Sequence, residues 1–325
     1  MDKLFNETNE RYCKAANGEG KFYLKTYFVD EPKAVAVILH DLISHGKRYE
    51  ELAEALNKEK IDVLLPDITG FGMSKQGHHG AFAMKNDGLK FVQRDIERLF
   101  NIYDNEKGIL PHILISDGKT NVISSLFTMN YKSVDALILM GYMQHFNVSS
   151  AMLAAAKSFV MMSGYHSVSN ALINMTEAPA SQGRGELNKY YWISSLEEEI
   201  YKFIEDENCG IPLTASAYLE IFSGEKLTNK AKWIANFPNL PVLFLAGADD
   251  MMGNYGKSAR DMANNLWDSY HDLVSINIYS GCRHDLLHDS RKNSVIKDIL
   301  NWINDLSIDI DNDINNDIDN EAKKI

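Results

Sequence analysis

The sequence predicts an α/β protein with a mostly parallel central sheet, helices on both of its faces and a helical cap insertion. Three observations predict it. Short apolar runs recur along the chain, each followed by a segment with apolar residues at helical spacing. Roughly 100 residues between Gly141 and Asn239 then lack strong buried-strand signals. Two further apolar runs and a closing amphipathic segment follow that gap.

The elements follow in order. KAVAVILH (33–40) is a short β-branched run, the pattern of a strand buried on both faces. YEELAEALNKEK (49–60) has apolar residues at helical spacing, and IDVLLPD (61–67) is a second buried strand. LKFVQRDIERLFNIY (89–103) is a helix with Leu89, Val92, Ile96, Leu99 and Tyr103 on one face. HILIS (112–116) and VDALILMG (134–141) are strands, with a helix starting after the first. The Met-, Ala-, Ser- and Tyr-rich stretch that follows reads as helices and loops, an insertion covering the carboxyl ends of the strands. LPVLFLAG (240–247) and LVSINIYS (273–280) are the last strands, and SVIKDILNWIND (294–305) is the closing helix. The expected organisation is a first core part over 1–141, the cap over 142–239, a second core part over 240–306 and a low-complexity acidic tail over 307–325. The tail, SIDIDNDINNDIDNEAKKI, has the composition of a disordered segment.

Composition narrows the function classes. The chain has 325 residues, 45% hydrophobic and 24% charged, the balance of a soluble globular protein with enough apolar material for a sizeable core. No run of 18 apolar residues exists, which excludes a spanning helix of that kind. The N-terminal segment MDKLFNETNERY has no apolar h-region, so no secretory leader is expected. A net charge of -12 with no strong basic patch argues against nucleic acid as a partner. Cys13, Cys209 and Cys282 are far apart and odd in number, which fits neither a disulfide framework nor a zinc site and points to a reducing, cytoplasmic setting.

In an open parallel sheet, chemistry collects at the strand ends. Four ends carry polar residues: His40-Asp41-Leu42, Ser116-Asp117-Gly118-Lys119-Thr120, Gly247-Ala248-Asp249-Asp250 and Gly281-Cys282-Arg283-His284-Asp285. A carboxylate and a histidine after the last two strands are what an acid–base pair needs. Their chain order, nucleophile then acid then histidine, is that of the α/β-hydrolases.

With these motifs in place, the chain resembles the bacterial lysophospholipase and monoacylglycerol-lipase-like α/β-hydrolases, of the serine aminopeptidase S33 type. AVAVILHDLISHGKRYEELAEAL is similar to the family's strand, oxyanion loop and helix with its RY pair. VLLPDITGFGMS matches the strand followed by D-x-x-G-x-G-x-S, and PVLFLAGADDMMGNYGKSA resembles the acid loop. IYSGCRHDLLHDSRKNSVIKDILNWI resembles the histidine loop and final helix, and YYWISSLEEEIYKFIEDENCG resembles a stretch of the family's cap. The resemblance spans about residues 20–305 and implies ester hydrolysis of a single-acyl lipid, with no metal or organic cofactor. It also implies a small-molecule lipid or ester ligand, with peripheral membrane contact through the cap. Carried over, Asp250 is the triad acid and His284 the general base, while the N–H groups of Leu42 and Lys119 form the oxyanion hole.

The nucleophile departs from the pattern. Where the family has G-x-S-x-G, this chain has S-D-G-K-T, so the serine position is Gly118, which has no side chain to attack an ester. The oxyanion-loop glycine is replaced by Asp41, which places negative charge near a developing oxyanion. Three readings stay open on sequence. The chain is a non-catalytic homologue that keeps an acyl pocket. Or another residue attacks, with Asp117 one position early and Ser116 two. Or Gly118 stands where the natural protein has serine.

Other motifs take plainer readings. His40 and His45 read as packing or hydrogen-bonding residues, and Asp249 as the structural neighbour of Asp250. His78-His79 lacks a third ligand at suitable spacing. Gly70-Phe71-Gly72 is too short for a dinucleotide fingerprint, and no G-x-x-x-x-G pattern precedes Lys119-Thr120 as in a phosphate loop. The segment from Met152 to Met162 is either a lipid-facing groove or plain core.

Overall fold

The computed structural model describes residues 9–18, 20–75, 79–83, 87–143, 150–177 and 189–306. The expected tail over 307–325 and His78 therefore lie outside the described residues. Eight strands form one sheet: β1 (Glu10–Lys14), β2 (Lys21–Tyr27), β3 (Ala34–Leu39), β4 (Ile61–Pro66), β5 (His112–Asp117), β6 (Ala136–Met140), β7 (Val242–Gly247) and β8 (Val274–Tyr279). Their spatial order is β1-β2-β4-β3-β5-β6-β7-β8. The pairs from β4 through β8 are parallel, and β1 and β2 add an antiparallel edge.

Every residue of β3, β4, β5, β6 and β7 is buried. That is the signature of a sheet covered on both faces, and it is why continuous apolar runs mark these strands. Alternation along β3 shows the two faces. Val35, Val37 and Leu39 pack on one side with Leu89, Val92, Ile96 and Phe127. Ala34, Ala36 and Ile38 pack on the other with Leu52, Leu56, Val295 and Ile299. The helices that supply these contacts are α1 (Glu50–Lys58), α2 (Gly88–Lys107), α3 (Asn121–Tyr131) and a closing helix over 292–306.

The strands expected from sequence all form, but β1 and β2 were not expected. Their inward residues, such as Phe22 and Leu24, alternate with exposed or half-exposed Lys21, Tyr23 and Lys25. A one-sided edge strand of this kind carries no continuous apolar run.

Between Met140 and Val242 the described residues form five helices: α4 (Ser150–Ser163), α5 (Asn170–Thr176), α6 (Glu197–Glu205), α7 (Ala215–Thr228) and α8 (Ala231–Ala235). In α4, Ala156 and Val160 are buried, whereas Met161 and Met162 are 77% and 85% exposed. In this helical stretch Ala156, Leu172, Tyr218 and Phe222 join the main core, and a second, smaller apolar cluster of Ile43, Met143, Trp192, Ile193, Phe203 and Met252 ties it to the strand ends. The cluster brings the loops after β3, β6 and β7 under Trp192, so those strand ends share one roof.

Candidate active site

The site is built at the carboxyl ends of β3, β5, β7 and β8. After β5 the chain turns sharply into a short 3-10 turn, Gly118–Thr120, and then into α3. Gly118 has φ +55°, a left-handed conformation that glycine adopts without steric cost. Thr120 Oγ1 donates to the Asp117 carbonyl at 2.8 Å, and Ser116 Oγ donates to Asn121 Oδ1 at 2.8 Å. These bonds close the turn from both sides.

Asp41 fills the space above Gly118. Its Oδ1 accepts from the Leu42 N–H at 2.8 Å and from the Lys119 N–H at 2.8 Å. Those are the two donors expected to line an oxyanion hole, and here they converge on a carboxylate of the protein itself. A Cβ on residue 118 would lie 2.4 Å from Asp41 Cγ, 2.5 Å from Oδ1 and 2.8 Å from Oδ2. Asp41 is therefore compatible with glycine at 118 and not with a larger residue.

His284 stands between two carboxylates. Its Nδ1 is 2.9 Å from Asp250 Oδ2, and its Nε2 is 3.8 Å from Asp41 Oδ2. Asp250 is fully buried and its Oδ1 accepts from the Met252 N–H at 2.8 Å, which aims Oδ2 at the imidazole. The neighbouring Asp249 is exposed. Burial alone would lower the His284 pKa, but Asp250 and then Asp41 outweigh it and hold it well above the ordinary histidine value. Asp41 moves the other way. Burial would raise its pKa, yet Lys119, His284 and the Lys119 N–H bring it below the usual carboxylate range. The pair is an imidazolium facing a carboxylate.

The other candidates fall around this centre. Asp117 is buried, and its Oδ2 accepts from Tyr49 Oη at 2.8 Å. A Cβ on Gly141 would lie 2.7 Å from Asp117 Oδ1 and 3.1 Å from His284 Cε1, so Gly141 lets the Asp117 carboxylate and the imidazole edge both approach the backbone there. Burial pushes the Asp117 carboxyl up to about 7, against the pull of His284. Tyr49 Oη also accepts from the Asp41 N–H at 3.0 Å, linking the two acidic residues. His40 is fully buried, donating from Nδ1 to the Asp41 carbonyl at 2.8 Å while its Nε2 accepts from the Ile68 N–H at 2.9 Å. That pairing fixes a neutral ring, and burial depresses its pKa.

The histidine loop is strapped to the stretch over 191–194. The His284 N–H donates to the Trp192 carbonyl at 3.3 Å, and the Asp285 N–H donates to the Ile193 carbonyl at 2.8 Å. Arg283 Nη1 donates to the Tyr191 and Ser194 carbonyls, both at 2.6 Å. The Trp192 ring covers the imidazole with centroids 5.2 Å apart.

A small cavity of about 20 Å³, room for roughly one water molecule, lies beside Gly118, lined among others by Lys119, Asn121, Ser125, Tyr142 and Glu225. Lys119 is buried, with Nζ 3.9 Å from Glu177 Oε1. Glu225 Oε2 is enclosed with no hydrogen-bond partner, and burial pushes its carboxyl up to about 8. Among the described residues one group could hold a metal ion, His45, Asp206 and Cys209, with ligand atoms within 4.8 Å of one another. His45 Nε2 is already paired with Asp206 Oδ2 at 2.9 Å, and burial raises the Cys209 thiol to about 12, which disfavours the thiolate a metal needs.

With the geometry described, comparison with known proteins fixes the family. The sequence pattern of the serine aminopeptidase S33 family matches residues 30–291. The chain belongs to that family. It is 28% identical over 307 residues to a monoglyceride lipase homolog of Monkeypox virus, a match covering 92% of this chain and 96% of that protein. Among solved structures, a carboxyl esterase from Bacillus coagulans in complex with glycerol superposes with a TM-score of 0.83 at 20% identity, covering 91% of this chain and 97% of the other. A monoglyceride lipase from Saccharomyces cerevisiae bound to a substrate analogue superposes with a TM-score of 0.70 at 14% identity, covering 93% and 96%. The fold is that of the α/β-hydrolases, on a lipase- and esterase-like scaffold.

Sequence reasoning noted the charge of Asp41 but missed that its carboxylate would occupy the hole. A signal for it was present: the oxyanion loop has gained a side chain where the elbow has lost one.

Proposed function

We propose that this S33-family protein does not hydrolyse carboxylic esters, because Asp41 occupies the position an acyl oxygen would take. One observation carries the reading: Asp41 Oδ1 accepts from both the Leu42 and Lys119 N–H groups at 2.8 Å. Ester hydrolysis needs those donors free, since they stabilise the oxyanion as it forms. Gly118 supplies no nucleophile, and His284, held as an imidazolium, cannot accept a proton as general base.

In this reading Asp250 and His284 are the acid and base of a triad whose third position is vacant. The ligand is a small lipid or ester bearing one chain. The likeness to a monoglyceride lipase homolog supports that class. Asp117 as an alternative nucleophile has less support, because its Oδ2 is taken by Tyr49 and its Oδ1 lies beside Gly141.

The test compares four proteins on p-nitrophenyl butyrate and a monoacylglycerol: the native chain, Gly118→Ser, Asp41→Gly and the double variant. The native chain and both single variants are expected to be silent. The double variant is expected to hydrolyse the ester, with activity lost on adding His284→Ala. Ester turnover by the native chain that depends on His284 would refute the reading.

A further inference from the structure

We propose that Lys119 is a pH-dependent latch on the helical region: Glu177 holds it at the end of α5 while Glu225 is protonated, and it moves into the cavity beside Glu225 when that carboxyl ionises, freeing the end of α5. The latch does not depend on whether the site turns over an ester.

Lys119 has two seats. Its side chain is buried, yet Nζ makes no hydrogen bond. It stands 3.9 Å from Glu177 Oε1, close enough for an ion pair and too far for a hydrogen bond. Glu177 is the residue on which α5 ends, and its N–H donates to the Ile173 carbonyl at 2.8 Å. The pair therefore ties the turn after β5 to the last turn of α5. The second seat is the cavity. Lys119 and Glu225 both line it, and its volume of about 20 Å³ admits one water. An ammonium group is about the size of a water molecule, so the cavity has room for Nζ. Glu225 Oε2 stands at that seat, enclosed and without a partner.

Protonation of Glu225 decides between the seats. Burial pushes its carboxyl up to about 8, against the pull of Lys119. At neutral pH it is uncharged in the fold, and Glu177 is left as the ion partner of Lys119. Above that value Glu225 becomes an anion in a more enclosed place than Glu177, whose side chain is 18% exposed. Attraction across the lower dielectric is the stronger, so Nζ moves to Glu225.

The surrounding charges do not take over this role. α3 carries none. Lys157 of α4 and Lys232 of α8 are exposed. On α7 itself, Glu220 accepts from the Leu89 N–H at 2.6 Å, and Lys226 donates to Ser150 Oγ at 3.0 Å. At the start of α2, Lys90 pairs with Asp87 at 2.7 Å. Tyr142, after β6, is kept neutral by burial and by Glu225 itself. On the other side of Lys119 is Asp41, which burial would protonate but Lys119 and His284 hold ionised, so its pull on Nζ is constant over the range in which Glu225 titrates.

Hydrogen exchange of the backbone amides over 173–177 reads the latch in the full chain, as protection factors from which the intrinsic pH dependence has been divided out. In the native protein, protection is expected to fall about two- to fivefold between pH 7 and pH 9, the scale of one partly exposed ion pair. The midpoint is expected at about 8, with the amides of β3 unaffected. Glu225→Gln keeps the uncharged shape and is expected to hold protection level across the range. Lys119→Met is expected to show the lower protection at both ends and no step between them. Level protection in the native chain, the same step in Glu225→Gln, or a step that persists in Lys119→Met would each overturn the proposal.

Discussion

Restoring serine at position 118 alone is expected to damage the protein rather than awaken it. The new Cβ would meet three atoms of Asp41 at 2.4, 2.5 and 2.8 Å, so Asp41 must leave its seat. It then gives up two backbone hydrogen bonds to a charged group, each worth about 1.5–3 kcal/mol. A non-glycine residue at φ +55° adds about 1–2 kcal/mol. The single variant should therefore lose roughly 4–8 kcal/mol by these principles, much of the stability of an ordinary domain. Asp41→Gly loses the same two hydrogen bonds without the clash, roughly 3–6 kcal/mol. In the double variant those bonds are lost once and not twice, so its cost should resemble that of Gly118→Ser alone. Denaturant and thermal unfolding of all four proteins measure this as a thermodynamic cycle, with a coupling of about 3–6 kcal/mol expected. Additivity within about 0.5 kcal/mol would refute the claim that residues 41 and 118 compete for one space.

Further predictions concern the surroundings of the site. His284, with its folded pKa raised by Asp250 and Asp41, stabilises the fold most fully below the ordinary histidine pKa, and that contribution fades as pH rises through the folded value. Histidine resonances followed by NMR should show it protonated at pH 7, and Asp41→Asn should lower its midpoint; an unmoved midpoint excludes the pairing. Tyr49→Phe removes the donor to Asp117 Oδ2 and the acceptor for the Asp41 N–H, so unfolding should show a loss of about 1–3 kcal/mol. Arg48→Ala leaves Asp285 with His288 alone, and the expected loss is about 3–5 kcal/mol, the scale for breaking an enclosed ion pair. Burial raises the thiol pKa of Cys13 to about 11 and of Cys209 to about 12, so neither should react quickly with a disulfide reagent at pH 8 until the chain is denatured.

Much of the sheet was legible because parallel strands buried on both faces write themselves as unbroken apolar runs, as in AVAVIL and VLFLAG. The edge pair β1 and β2 was not, because Lys21, Tyr23 and Lys25 interrupt the pattern wherever the strand meets solvent. The polar strand ends were visible as His40-Asp41, Asp250 and His284. The exchange between them was not. Asp41 and Lys119 are 78 residues apart, and only the folded sheet sets their loops side by side. A glycine at 118 reads as a deletion in one dimension and as accommodation of Asp41 in three.

The straps over 191–194 have a mechanical consequence. Carbonyls of Tyr191, Trp192, Ile193 and Ser194 hold Arg283, His284 and Asp285 by four hydrogen bonds of 2.6 to 3.3 Å. The roof over the imidazole and the loop that carries it thus move as one piece. Lifting this stretch would drag His284 away from Asp250, so it serves as an anchored edge, and any passage for a ligand must open at a side of the helical region that is not fastened to the histidine.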